Sequence, residues 1–269
     1  MVAILLATAH LFLDAGKQAL KNLFKHPFKP LFGFLFIFVT ALVERNSGLF
    51  PGFAGGMILG LALTFILAGF LALVNLLVDA KRFNLQETIT LTTGIFSPLI
   101  SSLFILFIAK FFLQPLLMQG DAQLWLSMIY AALFVFFNPL PEVIARKGVG
   151  GMDAFREALE FMKENGPEWL ASVLLMFLPL IIISGPAFVL KMISSDDPLN
   201  VLFNLIRYSV LIFAMLTSGL SFPGQVFVEI LLMALGLYYV FFMFLFRITL
   251  FEALNRTTRR KRVYAFSTK

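Results

Sequence analysis

Residues 52–78 read GFAGGMILGLALTFILAGFLALVNLLV, an apolar run without a single charged side chain. A membrane-crossing helix needs about 20 such residues, so this stretch predicts a span, which covers 53–78, and with it an integral membrane protein. The run is also periodic. Gly52, Gly56, Gly60, Thr64, Ala68 and Ala72 recur at every fourth position, which lines small side chains along one helix face. Such a ridge lets a second backbone come close enough for dispersion and C–H···O contacts, within the chain or at a subunit interface.

Working outward, four more segments have the length of a span: 95–118, 124–144, 169–189 and 226–250. A sixth, 30–43, provides only about 21 Å of helix and needs a thinned bilayer or snorkelling by Lys29. The composition agrees. Of 269 residues, 60% are hydrophobic and 13% charged, and the mean hydropathy is +0.93; soluble domains carry about 45–50% apolar and about 25% charged residues. The expected fold is all-α, a polytopic bundle of six transmembrane helices in one domain over 1–269.

The net charge of +6 is an orientation signal. With six spans and a cytoplasmic N-terminus, 17 of the 21 Lys and Arg residues fall in or beside cytoplasmic segments, as the positive-inside bias requires. Residues 199–222 are apolar enough for a seventh span, but that would export the basic run Arg259, Arg260, Lys261 and Arg262. A re-entrant or outer-surface helix with Asn204, Arg207 and Tyr208 on one face is the expectation. The terminal basic run then serves as topology determinant and contact for anionic lipid. The opening MVAILLATAHLFL imitates a signal peptide, yet no Lys or Arg precedes its apolar run, so a retained interfacial helix is expected.

Three segments begin alike: LDAGKQALKNLFKHPFKPLFGFLFIFV at Leu13, LQETITLTTGIFSPLISSLFILFIA at Leu85 and MDAFREALEFMKENGPEWLASVLLMFL at Met152. Each amphipathic stretch leads into a span, giving three repeat-like units over about 1–78, 79–144 and 145–255, followed by a basic tail, 256–269. Asp14 and Asp153 suit helix N-termini, where backbone N–H groups lack partners. Pro27 and Pro30, and then Gly166 and Pro167, are expected to separate surface helix from span in an L-shaped element.

MDAFREALEFMKENGPEWL entering a span, its echo near Leu13 and the basic finish FRITLFEALNRTTRRKR resemble the membrane domain fused to some glycerophosphodiester phosphodiesterases and related six-span prokaryotic families. The resemblance implies architecture. No phosphodiesterase barrel is present in this sequence, so it carries over no catalytic residue.

Ionisable and polar residues at membrane depth are the candidate functional positions. Lys110, Gln114, Arg207 and Glu229 could cluster in the outer half of the bundle, and a polar path from them to Asn138 would mark a carrier. Glu142 and Arg146 are spaced for a local i,i+4 ion pair beside the NPLP sequence of residues 138–141. Arg247 and Glu252 flank the inner end of the last span. Asn75 and Asn138 are placed to bond between helices or to carbonyls freed at the proline break. Trp125 and Trp169 read as interfacial anchors.

The chain has no cysteine, and His10 and His26 both precede the first span. Thiol chemistry and His/Cys zinc sites lack their parts, and no phosphate-loop, HExxH or GxSxG motif occurs. No metal, cofactor or nucleic acid is expected. The leading expectation is a non-enzymatic scaffold or accessory subunit that organises a membrane complex or lipid environment, with membrane lipids, and protein subunits docked on the ridge or surface helices, as partners. The alternative is a transporter or channel-like carrier of a small or lipidic solute. The expected location is the inner cell membrane with both termini cytoplasmic. A topology reporter fused after Lys269 should therefore be active in the cytoplasm; activity on the opposite side would make 199–222 a true span.

Overall fold

The computed structural model describes residues 2–45, 52–79, 84–117, 122–195, 201, 204, 206, 208 and 225–256. Among them the chain forms α1 (Val2–Lys25), a 3-10 turn (Lys29–Leu31), α2 (Phe32–Arg45), α3 (Gly52–Val78), α4 (Leu85–Leu117), α5 (Ala122–Phe137), α6 (Leu140–Lys147), α7 (Gly151–Ser184), α8 (Pro186–Ser195) and α9 (Gln225–Arg256). No strand occurs among the described residues. The all-α polytopic bundle expected from the sequence is what these residues build.

Five segments are long and apolar enough to cross a membrane: Gly56–Val78, Leu85–Phe112, Leu124–Lys147, Gly151–Ser184 and Gln225–Arg256. Segments Leu6–Lys25 and Lys29–Val43 make a sixth when taken as one broken span, bent by 83°. The bend follows from Pro27 and Pro30, which cannot donate the backbone hydrogen bonds that a continuous helix needs. The first unit is thus L-shaped as expected.

The third unit is not. α7 continues through Gly166 and Pro167 for 34 residues, about 51 Å of rise against a hydrocarbon core of about 30 Å. Its amphipathic portion is a coaxial extension of the span. One missing N–H at Pro167 releases one carbonyl, that of exposed Lys163, and packing on one face keeps the helix whole: Ala154, Ala158, Phe161, Trp169 and Val173 are all buried. The chain breaks instead at Gly185 (φ +81°) before Pro186, so the expected span at 169–189 is divided between α7 and α8. α4 likewise runs uninterrupted from Leu85 to Leu117. The stretch 199–222 and the tail 257–269, including Arg259, Arg260, Lys261 and Arg262, lie largely or wholly outside the described residues.

α3 pairs most extensively with α4, and α1 with α9. The centre of the bundle is aromatic. Phe70 packs against Phe36 at 5.2 Å between ring centroids and against Phe241 and Phe244 at 5.0 Å each, joining α2, α3 and α9. Such tilted and edge-on pairs contribute about 0.5–1.5 kcal/mol each beyond their buried area.

The small-residue ridge of α3 divides along its length. Thr64, Ala68 and Ala72 are buried. Gly56 and Gly60 are exposed, and a methyl group added to either would meet nothing within 4 Å. Gly52 belongs to α3, but its surroundings lie outside the described residues.

A tighter approach occurs between α7 and α4. A Cβ on Gly150 would lie 2.4 Å from Pro98 Cα and 2.7 Å from its carbonyl oxygen, so two backbones touch there. Gly150→Ala should lower stability by about 1–3 kcal/mol, read by thermal unfolding in detergent, because neither backbone can turn aside. Gly16→Ala on α1, where nothing lies within 4 Å, should be neutral or stabilising by up to about 1 kcal/mol. Equal responses would remove the close contact as the reason for a glycine at 150.

Candidate functional site

The site grows from the Asn138–Pro139 break. In a continuous helix the N–H of residue 139 would bond the carbonyl of Val135, and proline has none. Asn138 supplies the missing donor: its Nδ2 donates to the Val135 carbonyl at 2.9 Å. Beyond the break, Pro139 and Pro141 suit the start of α6, where backbone donors have no intrahelical partner. Glu142 occupies the first turn of α6, the end at which the helix dipole favours a carboxylate. α6 closes on Gly148 (φ +67°), whose N–H donates to Ile144 at 3.0 Å; the left-handed conformation makes glycine the natural residue there.

Glu142 faces Arg247 of α9. Arg247 Nε donates to Oε1 at 2.6 Å and Nη2 to Oε2 at 3.0 Å, with side chains only 3% and 1% exposed. Nη2 also donates to the Asn138 carbonyl at 3.0 Å, and Nη1 approaches Met176 Sδ at 3.7 Å. The guanidinium carbon lies 4.6 Å from the ring centroid of Trp169. Trp169 Nε1–H in turn donates to Asn138 Oδ1. One asparagine therefore repairs the proline break, orients the indole and accepts from the arginine.

This differs from the local pairing expected of Glu142. Arg146 sits at the rim and donates to Asp79 at 3.2 Å and to Glu252, while Glu142 turns inward to a partner 105 residues away. Arg247 is correspondingly a buried residue and not an interfacial one. Trp169 is fully buried, packed on Phe161 and Phe251, so it is no lipid-facing anchor; Trp125 is exposed.

Around the pair, side chains of neighbouring helices meet helix ends. Asn75 Nδ2 donates to the Ala145 carbonyl at 2.9 Å, in the last turn of α6. Asn22 Nδ2 donates to the Val78 carbonyl at 3.0 Å, at the end of α3. Ser102 Oγ accepts the Gly151 N–H at 3.1 Å, at the start of α7. Each satisfies a backbone group that the helix itself leaves open.

The candidate residues Lys110, Gln114, Arg207, Glu229 and Asn138 are placed as follows among the described residues. Asn138 belongs to the Arg247 cluster. Glu229 precedes Arg247 by 18 residues of the same helix, about 27 Å of rise, and accepts from Gln225 Nε2 at 2.8 Å. Lys110 Nζ lies 5.9 Å from the Tyr130 ring centroid. Arg207 and the Gln114 side chain fall outside the described residues.

Comparison of the chain with protein-family models, curated proteins and solved structures finds no match. The reading of the site therefore rests on its geometry. Both charges are enclosed and mutually bonded, so the arrangement braces α5, α6, α7 and α9 against one another.

Removing one partner leaves an uncompensated buried charge or an emptied hydrogen-bond set. Arg247→Met and Glu142→Leu should each cost about 3–5 kcal/mol, whereas the apolar double variant combining the two should recover part of that loss. Thermal unfolding of all four proteins closes the cycle. Strictly additive losses would mean that the two side chains do not depend on each other.

Proposed function

We propose that this chain is a non-enzymatic multi-pass membrane protein, a scaffold or accessory subunit that organises a membrane complex or a lipid environment. The observation that carries the reading is the use made of the most deeply buried charges. Arg247 and Glu142 are bonded to each other and to helix ends, and the space between α2, α3 and α9 is filled by phenylalanine rings. A carrier would need a polar route along the bundle, whereas residues 230–246 of α9, between Glu229 and Arg247, contain no charged side chain.

The surfaces suit attachment. Gly56 and Gly60 present backbone to the outside of the bundle, where another membrane helix could pack closely. The family resemblance at Leu13 and Met152 fits this reading, since it concerns architecture alone. The distribution of Lys and Arg supports cytoplasmic termini, and the proposed location is an inner cell membrane.

Purification from native membranes in mild detergent should yield the chain in a stoichiometric assembly with a further membrane subunit. Gly56→Ile together with Gly60→Ile should dissociate that assembly while changing monomer stability by less than about 0.5 kcal/mol, since both positions are open. A lone monomer from native membranes, or an assembly indifferent to the two substitutions, would count against the scaffold role and the ridge respectively.

A further inference from the structure

α9 contacts the Glu142 cluster through Arg247 and, elsewhere on its surface, floors an apolar groove. Leu13 and Gly16 of α1 form one wall, Leu178 and Ile182 of α7 the other, and Phe242 and Phe246 of α9 the base, enclosing about 530 Å³. That volume lies within the ~300–1,000 Å³ of small-molecule sites. Leu13, Leu178 and Ile182 are exposed, so the groove opens sideways from two candidate spans. Two adjacent hydroxyls brace the elements around it. Tyr238 donates to the Pro27 carbonyl at the α1–α2 bend, and Tyr239 donates to the Leu175 carbonyl of α7 at 2.8 Å. The α7 wall is tied directly to the floor, and the bend that follows α1 is tied to it as well, so the cleft is formed before anything enters it.

The rim is basic. Lys17 follows Gly16 directly and lies one turn beyond Leu13, with Lys21 a further turn along the same exposed face. Lys25 ends the helix, and Asp14 is the one acid on α1. An apolar slot between candidate spans, with exposed lysines further along the helix that forms one wall, fits a molecule with an apolar tail and an anionic head.

We propose that the groove between α1, α7 and α9 seats an acyl chain of an anionic phospholipid whose headgroup is met by Lys17 and Lys21. This deepens the lipid-organising side of the proposed function and rests on it. Full-length protein, delipidated in detergent, would be offered phosphatidylglycerol or phosphatidylcholine vesicles and the retained lipid counted by native mass spectrometry. Wild type should retain one phosphatidylglycerol in preference to phosphatidylcholine. Lys17→Glu with Lys21→Glu should abolish the preference, a fall of about fivefold or more per lysine. Gly16→Leu, which fills an open position, should reduce retention of both lipids at unchanged thermal stability. Equal retention of the two lipids by wild type, or wild-type retention by Gly16→Leu, would overturn the proposal. So would a dimer lost on filling the groove while bound lipid is unchanged. The subunit assembly purified from native membranes is read on separate samples, so a failed lipid site and a failed scaffold role are distinguishable.

Discussion

A backbone carbonyl or N–H without a partner in an apolar medium costs several kcal/mol, and this constraint organises the structure. Prolines at 139 and 179 create two such groups inside apolar helices, at Val135 and Leu175. Both are answered by side chains: Asn138 bonds Val135, and Tyr239 reaches across from α9 to bond Leu175. Helix ends add more open carbonyls, and Asn22 and Asn75 take those of Val78 and Ala145. Polar residues are therefore scarce but placed where the backbone needs them. Most of these bonds also join two elements, so the repair of local defects decides which helices are neighbours.

The Arg247–Glu142 pair belongs to the same scheme at higher stakes. Bringing two ions to near-zero exposure carries a desolvation penalty of several kcal/mol per ion, offset only by excellent geometry. The bidentate contact, the Asn138 carbonyl and the Trp169 face supply it, the last contributing about 2 kcal/mol when desolvated. Net stabilisation over an apolar alternative is not required for the pair to be useful. Leucines could pack α6 against α9 in several registers, whereas a guanidinium fork matched to a carboxylate and one carbonyl accepts a single register. The short α6 is also held by packing on α3, α4 and α7, with Leu140, Val143 and Ile144 fully buried, and the ion pair adds a directional contact to α9.

The spans were legible because apolar length is a local property, and the bend after α1 because Pro27 and Pro30 stand together at the end of an amphipathic helix. Pro167 misled for the opposite reason. A lone proline removes one hydrogen bond, and burial of Ala154, Ala158, Phe161 and Trp169 on one face of α7 outweighs it. The partners of Glu142 and Arg247 were hidden because nearest spacing suggests i,i+4 neighbours, while the contact is tertiary. A signal existed: in a six-span topology the fourth and sixth spans run in the same direction, and each carries one of these opposite charges near its inner end. Trp169 looked interfacial from its neighbours Pro167 and Glu168, and only the seating of Phe161 and Phe251 around it shows a core residue.

α9 links the rigid and the open parts of the molecule. Its Arg247 is anchored to α6, and eight residues earlier Tyr239 is anchored to α7, so the intervening turns cannot slide without breaking a polar bond at one end or the other. Tyr238, next in sequence, points to the α1–α2 bend. Neighbouring residues on a helix project about 100° apart, which is why two consecutive tyrosines can bond two different elements. Both bonds hold neighbouring elements on α9 beside the apolar cleft.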